Sequence, residues 1–593
     1  MNNILLIQLP LHPFTAWEPT GNIPLAPALL AAAADLPPGS VMQQEKLNYL
    51  GDKALFDLIK FKKPAILGVT LYLWNRERTI HLLQRLKNWN NELIIIAGGP
   101  EVTADNSILL NEKSVDLFVV GEGEPFAKEI FSINSLRAII NNGTRTIGPA
   151  TNLPPPHLWP DPYEKGILTV ASNGSAHIES QRGCSSTCSY CAYRKTSPVP
   201  RIVPADIVLS KIQYLKKNGV SELVFLDPTF NKRPDLDKLL KGLSEFSIDS
   251  FAEIRADIIH SQETADALKN AGFHSLEVGL QTFNQRVLKA IGRGGNPNSV
   301  LGGAEYLKQS GITPIIDLIL GLPGDTPKSI VEAASRLVDL DLGDQVQSFI
   351  LSILPGTELK ATAKALGLTY NINPPYNIIT SGSFSLTDLL QSREEVADIL
   401  GYDPDPPPRP VLSETFPGME VFIPEDSISV TSPSVRHGVL RINTTDAWQY
   451  RDRIINKIRE RRDKDPYCPL DIILNSERQF PFDLFDLINA TKESSCYTTQ
   501  KASIYDLPGL IRLAVIAPLE LDQSWLTECS QYAVTVIQAP EPVTLPGGQI
   551  GLLLKGEFNL SELSSLYTQA PHLIFFADQN LERLWNLNIL ELG

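Results

Sequence analysis

The sequence predicts an α/β protein in three parts: a parallel sheet covered by helices over residues 1–150, a partial barrel of six strand–helix units over 165–370, and an α+β region over 371–593. Two observations carry this reading. Short β-branched runs alternate with helical stretches in two successive series, the pattern of parallel sheets. Proline-rich segments, Leu153-Pro154-Pro155-Pro156-His157 and the run from Asp403 to Pro410, interrupt the alternation where linkers belong.

In the first part the strand runs are Ile4–Leu9, Ala65–Leu71, Leu93–Ala97 and Leu117–Val120, and Leu25–Leu36, Arg76–Trp89 and Pro125–Phe131 read as helices. Two glycine-rich loops, Gly98-Gly99-Pro100-Glu101 and Gly121-Glu122-Gly123-Glu124, fall at carboxyl ends of strands, the edge where open α/β sheets bind ligands. In the second part the strands are Ala176–Ser180, Glu222–Leu226, Phe251–Ile254, Ser275–Leu280, Pro314–Leu320 and Gln347–Ile353. Six such units in sequence suggest a partial TIM-type barrel, whose chemistry sits at the carboxyl ends of its strands. In the third part a helix is expected between Pro374-Pro375 and the Asp403 run, and beyond it strands and helices mix without a motif.

At 593 residues the chain is too long for one core, and 43% apolar with 20% charged residues describes a globular protein. A net charge of −15 argues against a nonspecific nucleic-acid binder, because phosphate contacts need a basic face. No apolar run reaches the roughly 20 residues that span a bilayer, and Met1 is not followed by the cationic start of a signal peptide. The cytoplasm is the expected compartment. Six cysteines are too few for a disulfide scaffold of this length, and half of them fall between Cys184 and Cys191.

Those three, Cys184, Cys188 and Cys191, have the spacing C-x3-C-x2-C directly after the first barrel strand. Three thiolates on one tight loop can ligate three irons of a cubane and leave the fourth iron open to an exogenous ligand. Zinc is the competing metal, but it asks for a fourth Cys or His close by, and the nearest, His177, lies on the other side of Gly183. Cys468, Cys496 and Cys529 are widely spaced and suggest no second cluster.

The cysteine spacing, with Tyr190 just before the third cysteine, resembles the signature of the radical S-adenosylmethionine (SAM) superfamily. That resemblance implies a [4Fe–4S] cluster on Cys184, Cys188 and Cys191, whose open iron chelates SAM, and reductive cleavage of SAM to a 5′-deoxyadenosyl radical. Motifs after the strands follow in the expected order: Leu226-Asp227-Pro228-Thr229, Glu253-Ile254-Arg255-Ala256-Asp257, Glu277-Val278-Gly279-Leu280-Gln281, Asp317-Leu318-Ile319-Leu320-Gly321 and Leu354-Pro355-Gly356-Thr357. By the resemblance, Tyr190 packs on adenine, and Asp227, Glu253, Arg255, Glu277, Gln281, Asp317 and Gly321 border the cofactor. The Gly-Gly-Glu common after the second strand is replaced here by Asp227-Pro228-Thr229.

The amino-terminal part resembles the Rossmann-like (flavodoxin-like) cobalamin-binding domain of the B12-binding radical SAM enzymes, through Leu73-Trp74-Asn75, Gly98-Gly99-Pro100-Glu101 and Val115 to Glu124. This implies cobalamin as a second cofactor, approached by Gly98, Gly99, Gly121 and Glu122. No histidine stands two positions after an aspartate, so the Asp-x-His-x-x-Gly cobalt ligand is missing, and Tyr72, Trp74, Asn75 and Arg76 are the candidates for the loop under the corrin. The implied reaction is methyl transfer to an unactivated centre; ring formation or rearrangement without methyl transfer, and a non-catalytic cluster-bearing sensor, are the alternatives. The expected partners are a small-molecule or peptide substrate and an external electron donor such as flavodoxin or ferredoxin, with no nucleic acid and no membrane span.

Overall fold

The structure is a computed structural model that describes all residues except 1–2, 12–22, 172–173, 194–196, 198, 403, 405–417, 431–432, 492, 505–508, 518–522, 540–549, 555–556, 569–572, 577–580, 582–583 and 585–593. The Asp403–Pro410 run therefore lies outside the described residues, apart from Pro404. The chain divides into two units, one of Met1–Leu9, Asn22–Glu45 and Lys63–Pro406, the other of Pro10–Gly21, Lys46–Lys62 and Pro407–Gly593.

The first unit opens with a five-stranded parallel sheet in the order β1 (Ile4–Ile7), β2 (Ile66–Thr70), β3 (Ile94–Gly98), β4 (Leu117–Val119) and β5 (Thr146–Ile147). Its central strands are buried nearly throughout, which is why they read as unbroken apolar runs. Helix α2 (Arg76–Trp89) falls where the sequence places it, and α1 (Leu25–Ala33) ends short of the expected Leu36, before Asp35 turns to φ +56°. Val41 bridges Leu6 in parallel, so β1 has a neighbour on each side, although that outer neighbour is a single residue pair. The strand order thus reverses about β1, and the crevice past the carboxyl ends of β1 and β2 is a topological switch point.

A six-stranded parallel sheet follows, in the order β11–β10–β9–β8–β7–β6. Its strands are β6 (Ser175–Ile178), β7 (Glu222–Phe225), β8 (Asp249–Ile254), β9 (Ser275–Gln281), β10 (Thr313–Leu320) and β11 (Val346–Ile350). Helices α3 (Ala205–Lys217), α4 (Leu236–Leu243), α5 (Gln262–Asn270), α6 (Pro297–Gln309) and α7 (Pro327–Asp339) follow β6 to β10 in turn. Strong local starts fix them: Ser261 caps α5, Asn296 precedes Pro297 at the head of α6, and Thr326 and Ser329 close a capping box on α7. The expected helix past Pro375 is α8 (Leu386–Leu400), which packs on α7. Residues 371–406 therefore go with the first unit.

The second unit corrects one expectation. Among the described residues its sheet has eight strands: β12 (Met419–Ile423), β13 (Ile428–Val430), β14 (Gly438–Thr444), β15 (Leu470–Ser476), β16 (Ile511–Ile516), β17 (Val534–Ala539), β18 (Ile550–Leu554) and β19 (Leu573–Phe576). They run in the order β13–β12–β14–β15–β16–β17–β18–β19, and only β13 is antiparallel to its neighbour. Strands and helices alternate, so the region is α/β and not α+β. The helix Asp52–Lys62 belongs to this unit: Gly51 N donates to Ser434 O (3.3 Å), Lys53 N to Asp465 Oδ1 (3.1 Å), and Tyr467 N to Asp52 Oδ2 (2.8 Å). Among the described residues no helix is long and apolar enough to cross a membrane.

Candidate active site

The loop after β6 is fixed from both ends. Asp227, two residues past β7, accepts hydrogen bonds from Ser180 N (2.7 Å) and Gln181 N (2.9 Å) and from the Ser180 hydroxyl, to which Arg233 also donates (2.8 Å). Arg182 then pairs with three carboxylates, those of Glu122, Glu124 and Glu179. Gly183 takes φ +83°, and a side chain there would collide with the Ser197 carbonyl. Beyond the turn, Thr187 Oγ1 donates to Gly292 O (2.8 Å) and Ser189 N to Ile291 O (2.8 Å), tying the loop to the segment after β9.

This brings Cys184, Cys188 and Cys191 to the wall of one cavity of about 330 Å³. Cys184 and Cys188 are buried and Cys191 is half-buried; all three are free thiols. Burial, and then the nearby Cys188 and Cys184, push the Cys191 thiol up to about 11. Binding to iron requires a thiol to lose its proton. Among the described residues no three His, Cys, Asp or Glu side chains converge on a single metal ion. A cubane does not ask for that, since each thiolate takes its own iron.

The strands of the same cavity are acidic. Glu253 of β8, Glu277 of β9 and Asp317 of β10 line the cavity. Glu253 and Glu277 are register partners on adjacent strands, and Asp317 pairs with Gly279. Burial and the neighbouring Glu277 carboxylate push Glu253 up to about 7 and Asp317 up to about 9, and burial raises Glu277 as well. Asp317 is 7% exposed, and its Oδ1 has no hydrogen-bond partner. An orphaned acceptor on a cavity wall fits a ligand that carries hydroxyl or amine donors. Gln281 lines the cavity from a backbone with φ +71°, at a register shift between β9 and β10 that re-aims its side chain.

A family model described as the radical SAM superfamily matches residues 178–337. Residues 178–337 are a radical SAM domain. Among curated proteins the chain is 26% identical over 341 residues to an uncharacterised methyltransferase of Pyrococcus horikoshii, covering 53% of this chain and 73% of that protein. It is 24% identical over 335 residues to the cobalamin-dependent radical SAM methyltransferase TokK of Streptomyces tokunonensis, covering 51% of this chain and about half, 49%, of TokK. Among solved structures it aligns with the radical SAM methyltransferase TsrM of Kitasatospora setae at 15% identity and a TM-score of 0.49, over 62% of this chain and 79% of that one. A radical SAM domain holds a [4Fe–4S] cluster and SAM, and both fit here: three soft thiols and an orphaned carboxyl oxygen line one cavity.

Within the radical SAM domain the residues expected from sequence divide. Tyr190, Glu253, Arg255, Glu277, Gln281 and Asp317 line the cavity. The Arg255 guanidinium is already held by Asp257 (2.5 and 2.7 Å) and by Gly294 O (2.7 Å). Asp227 faces the base of the cysteine loop, and Pro228 and Thr229 reach the cavity in its place. Gly321, at φ +101°, meets Ile378, Leu389 and Phe384 and lets the segment around α8 close on β10. Arg293, which sequence reading passed over, stands between Gly292 and Gly294, lines the cavity and donates to Gly279 O. A single cation between two glycines after a barrel strand was its available signal.

The first sheet's loops separate likewise. The Asn75 side chain donates to Leu9 O (2.8 Å) and Thr70 O (3.2 Å) and accepts from Tyr72 N (2.9 Å), so it closes the gap past β1 and β2. Arg76 Nη1 donates to the Tyr376 hydroxyl (2.7 Å), which in turn donates to Glu101. Tyr72 and Trp74 stack with centroids 4.3 Å apart and 11° between planes, and Trp74 Nε1 is buried without a hydrogen-bond partner. Gly99 has φ +106°, and a side chain there would press on Leu71 O at 2.6 Å; at Gly98 it would lie in ordinary contact with Val119 O at 3.7 Å. Gly121, at φ +77°, turns against Pro149, and Glu122 is committed to Arg182 and Arg201.

Proposed function

We propose that this chain is a cobalamin-dependent radical SAM enzyme of the cytoplasm that transfers a methyl group to an unactivated centre of a small molecule or peptide, with electrons from an external donor of the flavodoxin or ferredoxin kind. The observation that carries the reading is the three-thiol loop set against an acid-lined cavity at the carboxyl ends of parallel strands, with its base ion-paired to the corresponding loops of a second parallel sheet. The name of the relative TokK supports the cobalamin and the methyl transfer.

Cys184, Cys188 and Cys191 would hold the cluster. Tyr190, Gln281, Arg293, Glu253 and Asp317 would border SAM: the guanidinium suits a carboxylate, and the carboxyl groups suit an amine or ribose hydroxyls. The loops of Tyr72–Trp74, Gly98-Gly99 and Gly121 would hold cobalamin, with the unpartnered Trp74 Nε1 left for it. Bound there, the cofactors supply homolytic C–H abstraction and a transferable methyl group. The chain's own residues orient and enclose. Tyr190 offers a flat face, Asp317 keeps a proton that Glu277 shares, and Ile254, Ile319, Phe349 and Leu354 keep the cavity apolar where water would quench a radical.

The test is cofactor retention followed by product mass. Anaerobically reconstituted protein is expected to carry about four irons and one cobalamin through gel filtration, and its product to gain one methylene unit. Loss of all cobalamin on the column would overturn the cobalamin part, and a product without added carbon would overturn the methyl transfer.

A further inference from the structure

We propose that Arg182 and Glu122 are positioning residues that set the cysteine loop against the ligand-binding loops of the first sheet. The inference rests on the reading above, in which the cluster and a second cofactor occupy these two places.

Glu122 and Glu124 belong to the glycine-rich loop after β4, and Arg182 stands two residues before Cys184. One guanidinium collects all its acids: Nη1 meets Glu122 (3.0 Å), Nη2 meets Glu124 (2.7 Å) and Glu179 (2.7 Å), and Nε also reaches Glu179 (3.0 Å). The side chains are 12% exposed at Arg182, 11% at Glu122 and 5% at Glu124, against 28% at Glu179, so solvent does not stand in for the two acids of the first sheet. The second oxygen of Glu122 pairs with Arg201, whose Nη1 donates to Pro154 O (2.7 Å) in the linker between the two sheets. Glu122 thus joins three segments. A planar guanidinium filled from three directions has one orientation. Gly183 follows it directly at φ +83° against Ser197, so the first cysteine inherits that orientation with no free torsion in a roomy turn between. A charged loop residue that looks like a cofactor contact is, in this geometry, the anchor of the other cofactor's loop.

The comparison is between wild type, E122Q and R182K, all full-length and reconstituted. R182K keeps the charge but cannot hold three carboxylates in one plane. D105N is the control, because Asp105 ties the first sheet to Gly356 N (3.0 Å) and Lys360 (3.0 Å) without touching the cysteine loop. The readouts are chelator-driven loss of iron and the electron paramagnetic resonance spectrum of the reduced cluster with and without SAM. Removing an outer partner of a metal loop is expected to speed iron loss about tenfold in E122Q and R182K and to broaden the SAM-induced spectral shift. D105N should match wild type in both. If E122Q and R182K hold iron and shift their spectra as wild type does, or if D105N loses iron as fast as they do, the positioning role is overturned. A wild type that takes up no cluster would instead sink the underlying functional reading.

Discussion

Asp227 and Glu277 show how two buried carboxyl groups take different work from their positions. Asp227 stands past the end of β7 and turns toward the chain, accepting two backbone amides and a hydroxyl. Replacing it with Asn keeps an acceptor for the two amides, which share Oδ1, but sets an NH2 group against the buried Ser180 hydroxyl, which loses its acceptor. D227N is expected to cost about 2 kcal/mol in urea denaturation of the apo-protein and to leave the cavity wall unchanged; a stable variant with weakened SAM binding would show that Asp227 faces the cofactor. Glu277 lies within β9 and turns into the lumen beside Asp317 and Glu253. All three have folded-state pKa values raised above the unfolded ones, chiefly by burial, so the folded protein holds protons that the unfolded chain has released. Stability of the apo-protein should therefore fall as pH rises from about 4.5 to about 9. E277Q should flatten that fall, and a melting temperature that rises over the same range, or a slope unchanged in E277Q, would refute the assignment. The order of motifs in the family resemblance put Glu253, Glu277 and Asp317 beside the cofactor. It could not say which of Asp227, Pro228 and Thr229 faces inward, because beyond a strand end the alternation no longer holds. Arg293 escaped for the same reason.

At the scale of elements, legibility followed burial on both faces. Ile66–Thr70 and Ile94–Gly98 are nearly all buried, read as apolar runs, and lie within a residue of where the sequence puts them. The outer strand beside β1 is a single bridge at Val41 and leaves no run to read. The strands of the second unit are also apolar, with one cluster of buried residues against the helices and another on the far face, yet no chemistry-bearing motif marks them. Their parallel order had to come from the structure. So did the membership of the helix Asp52–Lys62, whose amphipathic sequence carries no address; its partners lie near residues 434 and 465. A protein ending at Pro406 should show amide hydrogen exchange in Asp52–Lys62 close to unfolded rates, while iron uptake at the cysteine loop remains. Unchanged protection of that helix would contradict the division.

For the whole molecule, composition excluded more than it identified, and the site came from three cysteines read against a strand order. Cleavage of SAM at that site is the decisive property. The direct measurement is 5′-deoxyadenosine and S-adenosylhomocysteine formed by anaerobic, cluster- and cobalamin-loaded protein with SAM, reductant and candidate substrates, beside C188A. Both products from the wild type and neither from C188A is the predicted result. A wild type that carries its full iron and cobalamin yet forms neither, or a C188A variant that forms 5′-deoxyadenosine as fast as wild type, would contradict it.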